Sequence, residues 1–240
     1  MARRVGSPIP LSRLSRFELI PVDGTCALAE LRRRRLECRA GGPYPFLLNL
    51  SGQAHLWAET GEGLSPDEIL QASWVADISE YLRPSPHELD CGAESGPDAA
   101  EFSVRNSPGS PDRGWALRVH TSGALHDESD DLCLALSPIR EPWTLPAELE
   151  FGGWNLNPDA AQHCAMFRRW ELLYGAEIVG VRHDILECEV SHPPQTREAA
   201  LELAREHHRF CNDLVNQGCG TLSSLAARLF RSRYWYFWWD

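Results

Sequence analysis

The amino-acid sequence predicts an α/β protein, a mixed sheet with packed helices and an aromatic C-terminal strand in the sheet interior. Three observations carry that prediction. Helical and strand periodicities alternate through the last third of the chain, the pattern of a layered α/β body. Two short apolar runs, Phe46-Leu47-Leu48-Asn49-Leu50 and Leu132-Cys133-Leu134-Ala135-Leu136, read as strands buried on both faces. Finally, six consecutive aromatics, Tyr234 to Trp239, precede Asp240. Left in water they would form a large apolar patch, and such residues favour strands. In a strand, Trp235, Phe237 and Trp239 point one way and Tyr234, Tyr236, Trp238 and Asp240 the other. Covering both faces implies an inner strand.

Composition bounds the function. A chain of 240 residues with 43% hydrophobic residues buries a sizeable core. The net charge of -11 argues against nucleic-acid or anionic-membrane binding, both of which need a basic surface. The run Arg32-Arg33-Arg34-Arg35 reads as a solvated helix face or a contact with the acidic middle of the chain. All 23 basic residues are Arg, which removes lysine Schiff-base chemistry and the phosphate-loop lysine. Eight cysteines without a C-x-x-C pair, no signal-peptide pattern and no long apolar run suggest a soluble cytoplasmic protein with reduced thiols.

Taken in order, residues 1–16 read as a flexible arm rich in Ser, Pro and Arg. Residues 17–130 read as an N-terminal α/β part: a strand from Phe17 closed by Pro21, a helix capped by Thr25 through about Leu36, and a strand at 46–50. A polar loop with His55 and Trp57 follows. Ser65-Pro66-Asp67-Glu68 is a strong helix start, predicting a helix to about Leu82 that buries Ile69, Leu70, Trp74, Ile78 and Leu82. A Pro/Gly/Ser-rich loop at about 86–113, a strand at 115–120 and an acidic loop at 123–131 complete this part.

In the final portion, 131–240, Asn157-Pro158-Asp159 opens a helix with Cys164, Phe167, Trp170, Leu173 and Tyr174 on one face, and Gly175 ends it. Strands at 176–181 and 185–190 form a hairpin through Arg182-His183-Asp184. Alternation of Leu186, Cys188 and Val190 with Glu187 and Glu189 leaves one face wet. Thr196 caps a long helix to about Gln217, and Thr221 caps a short one before the aromatic strand.

Gly152-Gly153-Trp154-Asn155, Tyr174-Gly175-Ala176-Glu177-Ile178-Val179-Gly180, Pro193-Pro194-Gln195-Thr196-Arg197-Glu198 and Trp235-Tyr236-Phe237-Trp238-Trp239-Asp240 together resemble the bacterial family called domain of unknown function 4253. The resemblance covers about 132–240. Two positions depart from it: Ala199, where the family often has a Glu that completes a capping box, and Asn212, where it often has Pro. The resemblance implies a domain and carries no reaction, cofactor or ligand.

Two sets of residues are candidates for function. Trp154, Asn155, Asp213, Gln217, Trp238 and Asp240 form the candidate binding surface, since indoles anchor interfaces and amides and carboxylates add directional bonds. The catalytic alternative is His207, Cys211 and Asp213, in which His207 and Cys211 share a helix face as a metal half-site or a base and nucleophile; His183 or His192 would have to complete a metal site. Glu187 and Glu189 are a paired-carboxylate arrangement that is usually only solvated. The sequence-level expectation is an uncharacterised non-catalytic binding or protein-interaction module of the immunity or accessory kind. It has a protein partner and no metal or cofactor, and binds neither nucleic acid nor membrane. The alternative is a small-molecule or metal-dependent hydrolase using the His/Cys/Asp cluster.

Overall fold

A computed structural model of the chain describes residues 11–50, 63–84 and 132–240. The loop with His55 and Trp57, the Pro/Gly/Ser-rich loop, the strand at 115–120 and the acidic loop at 123–131 lie outside the described residues. Residues 11–16, expected in the flexible arm, instead include a short helix, α1 (Leu11–Leu14). Arg13 pairs with Glu150 at 3.2 Å and Arg16 with Glu148 at 2.9 Å. These contacts seat the segment against α5 (Leu145–Leu149).

Strands β1 (Glu18–Pro21), β2 (Tyr44–Asn49), β3 (Leu132–Ser137), β4 (Ala176–Arg182), β5 (Ile185–Val190) and β6 (Tyr234–Trp238) form one sheet in the order β1-β3-β2-β4-β5-β6. Only the β2–β4 pair is parallel among the pairs described. The sheet is therefore mixed, as the alternation of elements implied. β2 and β3 are buried along their whole length, because helices cover both sides. On one side, Leu47, Leu134 and Val179 pack against Ala27 and Leu31 of α2 (Ala27–Arg39). On the other, Phe46, Leu48, Ile178 and Leu186 face the main core, to which α6 (Ala160–Tyr174), α7 (Arg197–Phe210) and α8 (Leu222–Leu229) contribute.

Several elements differ from the sequence expectation for identifiable reasons. Thr25 does not cap α2; its N–H donates to the Asp23 carboxylate at 2.8 Å, and the helix starts two residues later. The predicted helix from Ser65 has the expected capping box, with Glu68 N–H donating to Ser65 Oγ at 3.3 Å. It divides into α3 (Pro66–Ser73) and α4 (Ser79–Leu82), which leaves Trp74 exposed. Leu173 is also exposed, lying off the buried face of α6 that carries His163, Cys164, Met166, Phe167 and Trp170. The Glu face of β5 is not wet: Glu187 is buried, and Arg35 of α2 pairs with Glu177 and, at 3.4 Å, with Glu189. Two other arginines of that run, Arg33 and Arg34, bond within the helix to Glu30 and Glu37.

The aromatic strand belongs to the sheet, as expected. Among the described residues it pairs with β5 alone and stands at the end of the strand order. Its inner rings are buried all the same, because side chains on a strand are covered by the layers above and below, whereas neighbouring strands pair the backbone. Alternation reports the first kind of cover and is blind to the second. No helix among the described residues is long and apolar enough to cross a membrane.

β2 lies between β3 and β4, so the sheet takes strands from both sides of residue 130. A fragment of residues 133–240 lacks β2, the strand that joins β3 to β4, and should fail to show cooperative unfolding in a urea titration. Adding the complementary fragment 1–132 should restore a cooperative transition.

Candidate functional site

The candidate site is built where the long predicted helix fails to continue. α7 begins as expected, with Ala199 N–H donating to Thr196 Oγ1 at 3.2 Å; Ala199 has no carboxylate to return the bond, so the cap is one-sided. The helix stops at Phe210, where Cys211 turns out of helical geometry with φ -144°. A π-helical turn then spans Leu214–Cys219, bounded by Gly220 at φ +82°. Had α7 run on to Gln217, Asp213 would have been carried round the helix away from the end of β6. The break aims it there instead.

Asp213 now binds in two directions. Its Oδ1 accepts from Gln217 Nε2 at 3.0 Å and its Oδ2 from the Asp240 backbone N–H at 3.1 Å. Asn155, held at φ +49°, donates its side-chain amide to the Asp240 carbonyl at 2.7 Å. Asn155, Asp240, Asp213 and Gln217, chosen from sequence as binding residues, thus form one hydrogen-bonded chain that ties down the end of β6. Trp238 stands beside it with its indole N–H donating to Asp184 Oδ2 at 3.2 Å, and the Trp239 N–H donates to the Asp184 carbonyl at 3.1 Å. Trp154 does not join them; it is a core residue.

Next to this chain lies an open cleft of about 130 Å³, lined by Asp213, Leu214, Gly218, Cys219, Arg228, Tyr236 and Trp238. The aromatic walls come from alternate residues of β6 and therefore share a face. Tyr236 could have been found from Trp238 by that rule. Arg228 had no sequence signal, because α8 reaches the cleft only through tertiary packing.

The His/Cys/Asp set does not come together as a reactive group. His207 is sealed among Trp170, Trp235 and Phe237, with ring centroids 4.7–4.8 Å away, and neither ring nitrogen finds a hydrogen-bond partner among the described residues. Burial pushes its pKa down to about 3. The Cys211 thiol donates to the Trp238 carbonyl at 3.0 Å, and burial pushes its pKa up to about 12. A neutral, enclosed imidazole and a protonated thiol bonded elsewhere are not a base and nucleophile. Among the described residues, no three or more His, Cys, Asp or Glu side chains are grouped to hold a metal ion. Of the other candidates, His183 sits 3.0 Å from Asp184 in the hairpin turn, and Glu187 and Glu189 are taken up beneath α2 as described above.

Sequence reasoning overlooked His163. Buried in α6, it bonds Asn157 Oδ1 through Nε2 at 2.7 Å and packs against Phe151, Phe210 and Trp239. Burial pushes its pKa, too, down to about 3. Gly152 passes directly over this ring at φ +103°; a Cβ there would collide with the Pro158 carbonyl oxygen and come within 2.9 Å of the imidazole. Gly175, at φ +59°, closes α6, and a Cβ there would press on Ser191 at 2.9 Å. The glycines of the two motifs are thus demanded by close approach as well as by left-handed backbone.

Residues 133–240 match the family model described as Domain of unknown function (DUF4253). This segment, less than half of the chain, is similar to that family. No curated protein and no solved structure matches the chain. The DUF4253 segment contains β3 to β6, the π-helical turn, the Asn155–Gln217 hydrogen-bond chain and every residue that lines the cleft. It does not contain β2, which the sheet places in its middle.

Two outcomes follow. Gly152→Ala should destabilise the protein by more than about 3 kcal/mol, as an overlap with backbone adds to the cost of the left-handed conformation; chemical denaturation measures it. His163 and His207 both have folded pKa values below the unfolded value of about 6.5. Their stabilisation is complete above pH 6.5 and is lost as the pH falls toward 3, amounting at pH 5 to about 2 kcal/mol for each imidazole. Glu171, whose pKa burial raises to about 7, acts in the opposite direction. A comparison of wild type with His207→Phe removes the Glu171 contribution, and the stability difference between them should shift by about 2 kcal/mol from pH 7 to pH 5.

Proposed function

We propose that this protein is a non-catalytic binding module whose contact site is the cleft between the π-helical turn and β6. The observation that carries this reading is the pairing of aromatic walls with a fixed floor. Tyr236 and Trp238 present ring surface, while Asp213 spends both carboxylate oxygens in holding the strand end and Gln217 in place. A site held this way loses little side-chain freedom when it is occupied. Large aromatic area combined with an arginine, here Arg228, is the composition of binding hot spots.

A hydrolase using His207, Cys211 and Asp213 has no comparable support, since His207 is enclosed by rings and the Cys211 thiol is directed to a backbone carbonyl. The reading is of a protein-interaction role, with the DUF4253 segment supplying the contact surface and the N-terminal strands completing the sheet behind it.

The test is affinity isolation of the full chain from its native cells, with Trp238→Ala and Tyr236→Ser as variants whose folding is checked by thermal melts. One stoichiometric protein should be recovered with wild type and lost with either folded variant. Isolation of a monomer with no stoichiometric partner would refute the reading. So would a hydrolytic turnover that survives Trp238→Ala but disappears in Cys211→Ala.

A further inference from the structure

A second surface, remote in sequence from the cleft, has the features of a docking site of defined chemistry. Where α3 ends, Trp74 is 66% and Val75 86% exposed, and on α6 Leu172 is 86% exposed. One helical turn before Leu172, the Arg168 guanidinium lies 3.9 Å from the Trp74 ring centroid and 5.3 Å from that of Trp143. The two indoles meet edge to face at 6.1 Å. Arg168 Nη2 reaches the Ser73 carbonyl at 3.5 Å, and Nη1, which is buried, hydrogen-bonds nothing among the described residues.

This arrangement places a cation within an apolar surface and leaves part of its donor set unused. Stacking on indoles offsets the loss of water around a guanidinium but does not satisfy its N–H groups. The planar fork of arginine is suited to a carboxylate, which can accept two parallel bonds. Trp74, Val75 and Leu172 border the cation with apolar area.

We infer that Trp74, Val75, Arg168 and Leu172 dock a protein segment that presents an aspartate or glutamate beside apolar side chains. The carboxylate pairs with Arg168 as the Trp74 indole shifts to admit it. The neighbouring apolar side chains of the segment cover Val75 and Leu172. A cationic segment would meet Arg168 with like charge and is rejected.

Panning a random-peptide library against the full chain tests the inference. Enriched peptides should contain Asp or Glu beside aromatic or aliphatic residues. A synthesised representative should bind wild type in a Trp fluorescence titration, and Arg168→Gln and Leu172→Asp should each weaken it roughly tenfold or more. Leu172 is a surface residue, so Leu172→Asp should leave the thermal melt unchanged and keep the test valid if Arg168→Gln unfolds. Trp238→Ala should leave the affinity unchanged, which separates this surface from the cleft. The inference is overturned by an absence of enrichment, by enriched peptides that lack acids, or by affinity retained in both surface variants. Self-association of wild type that Leu172→Asp abolishes would also overturn it, assigning the patch to a second copy of the chain.

Discussion

The packing of one face of β6 onto α6 and α7 is the constraint on which the rest of the structure depends. Trp235, Phe237 and Trp239 are buried together with Trp170, Phe167 and Phe210, in edge-to-face and stacked pairs with centroids 5–6 Å apart. Removing such rings from water stabilises by on the order of 3 kcal/mol each, and their mutual geometry adds to that. The same packing determines what the neighbouring polar groups can be. His207 and His163 lie within the ring cluster and must stay neutral. Cys211, at the end of α7, finds its acceptor on the β6 backbone and is held as a thiol.

That constraint also explains why function, on our reading, sits at the margin of the ring cluster and not within it. The candidate base and nucleophile, His207 and Cys211, are inside, where burial moves their pKa values away from neutrality. The groups at the surface end of β6 are hydrogen-bonded to one another and frame aromatic walls. An enclosed imidazole contributes to packing; an anchored indole at a cleft contributes area for recognition. The structure divides these roles by depth.

The N-terminal part has a different task. β2 supplies the strand between β3 and β4, and α2 covers the face opposite the ring cluster, where buried Arg35 takes up Glu177 and Glu189. Glu189, which the strand alternation assigned to water, is therefore part of an interlayer ion-pair network. A buried pair of this kind adds little net stability, but removing one partner is costly. It ties the relative placement of α2 and the β4–β5 hairpin to one arrangement.

Local rules were sufficient for much of this. The Ser65, Thr196 and Thr221 caps, the Gly175 stop, the 185–190 strand and the inward set of β6 rings all follow from neighbours within a few residues, which is the range over which caps and side-chain periodicity act. Asn155, Asp213, Gln217 and Asp240, grouped from the sequence as candidate binding residues, are joined by hydrogen bonds. Tertiary structure alone decided the rest. It ended α7 at Phe210 so that Cys211 and Asp213 could bond the β6 backbone, put β6 at the end of the strand order, sealed His207, and brought Arg228 to the cleft. Each of these depends on which distant segments share a layer, and periodicity along a chain has no information about what lies across the sheet from it.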